Sequence, residues 1–234
     1  MYLLVCNAGS TSLKFKLFEM PAEKVLAEAK VERIGRRNNG IFTYKNPVCN
    51  GERHLEKVDI PTYTEGIQLF LDCMLSDDET IGALSDISKI EKVGFKTVLA
   101  PGYSVHVIDE QVEARMREFL DVAPAHNGPY LEAVSHFRKL LPDAVLVGAF
   151  ETAFHETIPL ERKIYAVPYE WYEKYGFQRM GYHGASHSYV SETIELKFGS
   201  TDKMISCHLG GSCSLCAIDE GKSVDTTFGL SLQN

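Results

Sequence analysis

The residue types best suited to chemistry in this 234-residue chain stand in two short stretches of the same plan. Residues 3–17 read Leu-Leu-Val-Cys-Asn-Ala-Gly-Ser-Thr-Ser-Leu-Lys-Phe-Lys-Leu: an apolar run, a turn of glycine and hydroxylated residues, and a second, alternating run. Residues 204–219 follow the same order, and laying Gly9 on Gly210 puts Cys6 on Cys207, Asn7 on His208 and Thr11 on Ser212 without a gap. Glycine lets a backbone approach a ligand closely, and small neighbours leave the amides uncovered. A concavity of amides and hydroxyls of this kind binds anions, phosphate above all. One such turn alone reads as an ordinary hairpin. Two of them, each with a polar residue (Asn7 or His208) just ahead of the turn, predict two halves that grip a polyphosphate between them.

Further candidates stand between the two copies. Lys96 lies inside an apolar run, residues 92–99, where an unpaired charge is costly, so it either reaches outward along its stem or meets an anion. Glu151 and His155 follow the near-continuous apolar strand 144–150, at the end where open α/β sheets collect ligands; a solvated strand end is the alternative for Glu151. His183 sits beside Gly184 just ahead of a helix, where free amides and the positive dipole end attract anions, and a structural hydrogen bond is its alternative role. His183 and His187 lie four apart, but no metallohydrolase glutamate stands between them and Gly184 argues against continuous helix there. Cys213 and Cys216 have a metal-like spacing, yet residues three apart on a strand point to opposite faces.

The elements that must position these residues follow from periodicity and turn chemistry. After the first turn, residues 13–18 continue as a strand, 20–23 turn it, 25–31 return antiparallel, and 36–40 turn again into a strand at 41–44. Residues 46–56 read as a polar loop. Thr64 is expected to cap a helix over 65–75, with Ile67, Phe70, Leu71 and Met74 on one face. Asp109 caps a helix over 110–120 carrying Val112, Met116 and Phe119. Residues 124–129 read as a loop in which Pro129 opens the next helix, and Leu140-Leu141-Pro142 ends that helix. Residues 168–175 form a short aromatic helix stopped by Gly176, 188–198 a longer one closed by Gly199, and 219–222 a tight hairpin.

Composition sets the outer limits. With 24 basic against 32 acidic residues the formal charge is −8, which argues against a nucleic-acid surface while leaving room for a few local cations around a phosphate. The apolar run at residues 3–5 is too short for a secretory signal, and no uninterrupted span is long enough for a membrane. A cytoplasmic protein is expected, with its six cysteines reduced rather than paired.

Taken together, these stretches resemble the acetate kinase family, within the larger superfamily of sugar kinases, actin and heat-shock chaperones. Residues 7–15 are similar to its first phosphate motif, and residues 150–155, 165–176, 181–187 and 221–226 follow the family pattern in the right order along essentially the whole chain. The resemblance implies a mixed α/β, actin-like ATPase (ribonuclease H-like) fold of two domains, mixed sheets flanked by helices. It places a first domain at 1–153, lacking its C-terminal helices, and the first part of a nucleotide-binding domain at 154–234. It also implies Mg²⁺-dependent phosphoryl transfer between ATP or ADP and a short carboxylate such as acetate, in a cytoplasmic homodimer.

Residue by residue, the resemblance has Asn7 help hold Mg²⁺ and phosphate, has Ser10, Ser12 and Lys14 line the first loop, and has His208, Leu209, Gly210, Gly211 and Ser212 cradle the ATP phosphates. His183 would donate a hydrogen bond to the transferring phosphoryl. Lys96 falls where the family has an arginine that orients the carboxylate, and Glu151 where it has an aspartate near the site of transfer. Val98, Ala125 and His126 would shape the acyl pocket, Ala125 in place of a bulkier leucine. Gly211 stands where an asparagine is usual. Lys96 is a point charge that cannot make the fork of two parallel bonds an arginine makes. Glu151 is one methylene longer than aspartate, and misplacement by an ångström can cost about a hundredfold in rate. Family members continue beyond residue 234 with a second catalytic arginine, most of the adenosine pocket, a Mg²⁺-directing glutamate and the helices that complete the first domain. The alternative expectation is therefore a shortened, non-catalytic relative that binds phosphate, nucleotide or a partner chain.

Overall fold

The computed structural model describes residues 1–97, 99–122 and 124–230, apart from the Ala125 side chain. Two compact units emerge. The first comprises Met1–Thr97, Val107–Arg117 and Pro124–Gly148, and the second the described residues of 98–106, 118–123 and 149–234.

The first unit is built on a strand meander. Strands β1 (Tyr2–Gly9), β2 (Ser12–Glu19), β3 (Lys24–Glu32), β4 (Gly40–Asn46) and β5 (Gly51–Val58) pair antiparallel in sequence, and β6 (Ile90–Thr97) joins β1 in parallel. With β7 (Val105–Val107) and β8 (Val145–Phe150) the sheet order is β5-β4-β3-β2-β1-β6-β8-β7. The chain passes from the first unit into the second within β8. Strict alternation on β2 puts Leu13, Phe15 and Leu17 in the core and Lys14 and Lys16 outside. Helices α1 (Tyr63–Met74) and α3 (Pro124–Leu140) cover the apolar side. Phe15 stacks on Phe70 at 4.5 Å, and Phe137 packs edge-on against Phe15 and Phe95. Burying such rings contributes about 1.5–3 kcal/mol each. Helix α2 (Glu110–Glu118) is capped as expected, Asp109 accepting from the Gln111 and Val112 amides.

Four expectations change here. Residues 51–58 are strand rather than loop: both faces of β5 are largely exposed, so no apolar alternation announces it, as suits a charged sheet edge. Helix α1 begins two residues early because Thr62, not Thr64, is its cap. Thr62 and Glu65 exchange backbone bonds as a capping box. Helix α3 begins at Pro124 and runs through Pro129, which lacks the N–H for one helical bond. Its first turns are tied down elsewhere, by Asn127 Nδ2 donating to the Met116 carbonyl and by the Tyr130 hydroxyl donating to Asn7 Oδ1. Finally, helix α6 (Gly184–Phe198) starts four residues before residue 188, with Gly184 inside it as its first residue.

The second unit holds an antiparallel sheet of β9 (Met204–Leu209), β10 (Cys213–Asp219) and β11 (Lys222–Thr226), in the order β11-β10-β9, with α6 packed along β9. Short helices α4 (Leu160–Lys163) and α5 (Glu170–Tyr175) precede α6, and α5 ends on Gly176 in the left-handed region. All six cysteines are free thiols.

Both copies of the repeated stretch are hairpins, but their registers differ by one residue. In the first, Gly9 faces Ser12 and Cys6 faces Phe15; in the second, Leu209 faces Cys213 and Cys207 faces Leu215, so the second turn is one residue longer. A one-residue slip turns a strand over. Ile205 and Leu209 are accordingly 70% and 76% exposed, whereas Leu4, Cys6 and Ala8 are buried, and it is Ser206 and His208 that face α6.

Candidate active site

In the first unit, register assembles a row of polar groups around Asn7. Asn7 lies opposite Lys14 on β2, and Lys14 lies opposite Lys30 on β3. On the other side, Lys96 follows Phe95 on β6 as Asn7 follows its ladder partner Cys6 on β1. Alternation then places Asn7, Lys14 and Lys96 on one face, opposite buried Cys6 and Phe95, with strands about 4.8 Å apart. Lys96 is exposed, which settles the cost of a charge in an apolar strand by pointing it outward. The face carries a groove of about 550 Å³ lined by Asn7, Lys14, Lys16, Lys30 and Lys45 together with Glu28 and Glu32. Lys16 pairs with Glu28 and Lys30 with Glu32, each at 2.8 Å.

The turn between β1 and β2 exposes Ser10 and Thr11, and Ser12 opens β2 beside Gly9. The turn is anchored from its backbone: the Tyr63 hydroxyl donates to the Gly9 carbonyl at 2.6 Å and the Ile34 amide to the Thr11 carbonyl at 3.0 Å. Asn7 Oδ1 already accepts the Tyr130 hydroxyl at 3.0 Å. A carbonyl oxygen has a second lone pair, and the amide NH₂ remains a donor suited to phosphate. His126 stands on α3 four residues before Tyr130, on the same helix face. Val98 and the Ala125 side chain lie outside the described residues.

In the second unit, Glu151, His183 and His208 are brought together. Glu151 is 4% exposed; its Oε2 accepts the His183 amide and its backbone carbonyl accepts the Gly184 amide, both at 2.9 Å. The carboxylate thus closes the start of α6 in place of a side-chain cap. His183 is held at φ 59° and ψ 21°, left-handed backbone that costs a residue with a Cβ about 1–3 kcal/mol and clusters at functional sites. That conformation turns its ring onto His208, parallel within 17° and 3.9 Å apart, and edge-on to Phe228. His208 Nδ1 lies 3.0 Å from Ser186 Oγ in the first turn of α6. His183 Nε2 lies 3.1 Å from Ser212 Oγ, in the turn whose Gly211 has open space where a side chain would stand. Leu209, Gly210, Gly211 and Ser212 are all exposed.

Behind this surface lie serine partners that sequence reasoning missed. Ser214 Oγ is 2.8 Å from both His183 Nδ1 and His187 Nε2, and Ser206 Oγ is 2.9 Å from His187 Nδ1. His155, at 0% exposure, faces the Tyr182 carbonyl through Nε2 and Ser223 Oγ through Nδ1. Burial lowers the pKa of both buried rings; for His187, burial with the neighbouring His155, His183 and His208 brings it to about 4. Serines at positions 206 and 214, inside otherwise apolar strands, were the available signal, because a buried hydroxyl needs a partner. Among the described residues no group of three or more His, Cys, Asp or Glu side chains is placed to hold a metal ion.

The model of the Acetokinase family matches residues 2–232. This chain belongs to that family. It is 40% identical over 235 residues to the acetate kinase of Halothermothrix orenii, covering 98% of this chain and 58% of that protein, and 37% identical over 234 residues to the acetate kinase of Bacillus subtilis, covering 97% and 57%. In structure it is similar to Porphyromonas gingivalis acetate kinase (TM-score 0.88, 33% identity, 99% of this chain and 58% of that one) and to a propionate kinase from Francisella tularensis (TM-score 0.88, 28% identity, with the same coverage). The chain therefore spans little more than half the length of the acetokinases it matches, and its mixed α/β architecture is that of an actin-like ATPase. Mg²⁺ keeps several waters and is carried by nucleotide phosphates with one or two carboxylates; Asn7 Oδ1, which accepts the Tyr130 hydroxyl and has a second lone pair, offers one neutral oxygen to such an ion and no carboxylate. No helix of the described residues is long and apolar enough to cross a membrane.

Proposed function

We propose that this chain serves Mg²⁺-dependent transfer of the ATP γ-phosphoryl to a short carboxylate, acetate in the first instance, to give an acyl phosphate by direct in-line displacement. The observation that carries the reading is His183: Glu151 holds its strained backbone so that the ring stacks on His208 and presents Nε2 at the Gly210–Ser212 turn. Acetate is ionised at neutral pH, so its oxygen needs no general base, and the work left is alignment and stabilisation of charge. In this reading the His183 N–H donates to the transferring phosphoryl, Lys14 and Asn7 meet phosphate oxygens at the first turn, and Lys96 orients the carboxylate beside Val98, Ala125 and His126. Asn7 would help hold Mg²⁺, which would supply charge neutralisation at the phosphates. Division of the chain into domains 1–153 and 154–234, a cytoplasmic setting and pairing into a homodimer belong to the same reading.

A second reading, binding of phosphate or nucleotide without turnover, draws on Glu151, whose carboxylate is buried and engaged with the backbone of its own unit. Isothermal titration with Mg·ATP and Mg·ADP, followed on the same sample by acetyl phosphate formation from acetate, decides between them. Binding with turnover that falls about 10²-fold or more in His183→Ala supports transfer. Binding without turnover supports the second reading, and turnover unchanged in His183→Ala refutes the role given to that ring.

A further inference from the structure

A chain of hydrogen bonds ends on His183 from inside the second unit. It runs from Ser206 Oγ to His187 Nδ1, from His187 Nε2 to Ser214 Oγ, from Ser214 Oγ to His183 Nδ1, and from His183 Nε2 to Ser212 Oγ at the surface. Ser206, Ser214 and His187 are at most 3% exposed, so the inner links are shielded from water.

The protons on such a chain are not independent. A serine hydroxyl has one proton and a neutral imidazole one N–H. Ser214, between two ring nitrogens, gives its proton to one ring and accepts an N–H from the other. His187 stays neutral, since burial and its histidine neighbours keep its pKa near 4. Two arrangements follow while His183 is also neutral. Either Ser206 donates to His187 Nδ1, His187 Nε2–H to Ser214, and Ser214 to His183 Nδ1, leaving N–H on His183 Nε2; or every donor reverses and both rings carry Nδ1–H. In both cases the two rings share one tautomer.

We propose that Ser214 and His187 are positioning residues that hold His183 in its Nε2–H tautomer, with that N–H aimed at the Gly210–Ser212 turn. Nε2–H is the intrinsically favoured form of a neutral imidazole, and coupling makes both rings express that preference together. An anion at the turn reinforces it, because a charge-assisted bond there needs a donor. Stacking on His208 and the Glu151 contact already fix where the ring lies, so the tautomer is the property left for the buried chain to set. The assignment itself stands on these distances; only its catalytic consequence rests on the phosphoryl-transfer reading.

The test is long-range ¹H–¹⁵N NMR at about pH 7.5 on the chain labelled with ¹⁵N-histidine, with the two rings assigned by loss of signal in His183→Asn and His187→Asn. Both rings are expected to show an unprotonated Nδ1 and a protonated Nε2. In Ser214→Ala the His183 nitrogens should move to the averaged shifts of a tautomer mixture, and Ser214→Thr, which keeps the hydroxyl, should restore the parent pattern. Rings in opposite tautomers, or both in the Nδ1–H form, overturn the proposal on the parent protein alone, whatever the variants do. Identical His183 shifts in folded Ser214→Ala overturn it as well. In an active preparation, Ser214→Ala should lower kcat about tenfold or more with KM for acetate unchanged. A chain without turnover would count against the transfer reading while leaving the NMR result decisive for the tautomer.

Discussion

Adding one methyl group at Gly184 should destabilise the second unit, although the same change elsewhere in this chain should stabilise. Alanine is favoured over glycine inside a helix by about 1 kcal/mol. At Gly184 a Cβ would stand 2.1 Å from the Glu151 carbonyl oxygen and 3.1 Å from Phe154 Cβ, contacts with backbone and a packed side chain that cannot rotate away. Opening the first contact to ordinary distance needs a shift of more than an ångström. That shift breaks the Gly184 N–H bond to Glu151 and strains the bond from the His183 amide to the Glu151 carboxylate, both 2.9 Å now. A neutral bond contributes about 1 kcal/mol and one to a charged acceptor about 1.5–3 kcal/mol. Subtracting the helix gain, Gly184→Ala should lose about 1.5–3 kcal/mol. Gly128, in α3 with nothing within 4 Å of where a methyl would stand, should gain up to about 1 kcal/mol as alanine. Urea unfolding followed by the fluorescence of Trp171, the sole tryptophan, reports on the unit that contains Gly184. Far-ultraviolet circular dichroism follows the whole chain, Gly128 included. Gly184→Ala unfolding at the same or higher urea than the parent would refute the clamp assigned to Glu151.

Thr62→Ala should cost about 1 kcal/mol in the same urea experiment by removing the α1 capping box. The Thr62 hydroxyl is also the main reason the Glu65 carboxyl titrates below its ordinary value. The stability that Glu65 contributes above the usual carboxylate pKa, lost as pH falls through its lowered one, should shrink in that variant. For His187 the slope has the same sign in a higher window: the unfolded ring takes a proton below about pH 6.5 while the folded ring stays neutral to about 4, so Trp171-detected stability should fall as pH drops through that window, by at most about 3 kcal/mol, and the slope should flatten in His187→Asn. Lys14→Gln should raise stability by a few tenths of a kcal/mol, through relief of the like charge opposite it at Lys30, while weakening phosphate binding in titration calorimetry; tighter binding would contradict the anion row.

Strands β1 to β4 could be read from sequence because each presents one face to α1 and α3, which forces alternation. Strand β5 could not, since an edge strand with two wet faces has no apolar period to display. The start of α6 was illegible for another reason: its first turn, Gly-Ala-Ser-His, is closed by Glu151 from more than thirty residues away rather than by a local Ser, Thr or Asp. In the site, Asn7, His183 and His208 drew notice through adjacent glycines and small residues. Their partners did not, because Ser206, Ser214 and Ser186 meet histidines only through the β9–β10 register and the packing of α6. The gap-free overlay of the two turns concealed the slip that turns β9 over.

In each unit the fold accepts a local cost at the group that chemistry would use. Across β1 to β3, Lys14 faces Lys30 while Lys96 flanks Asn7 from the other side, an arrangement of like charges that a sheet selected for stability alone would avoid. At the start of α6, His183 occupies backbone that glycine would adopt freely, and its neighbour Gly184 does not supply that freedom because it is already helical. Within the row Glu32 meets the Lys30 charge at 2.8 Å. The lysine row lies where an anion would relieve it, and the strained histidine is locked by a buried carboxylate and by a serine and histidine behind it. Each is a kind of group on which the proposed phosphoryl transfer would draw: cations to meet charge on oxygens, and a donor that does not move while charge builds.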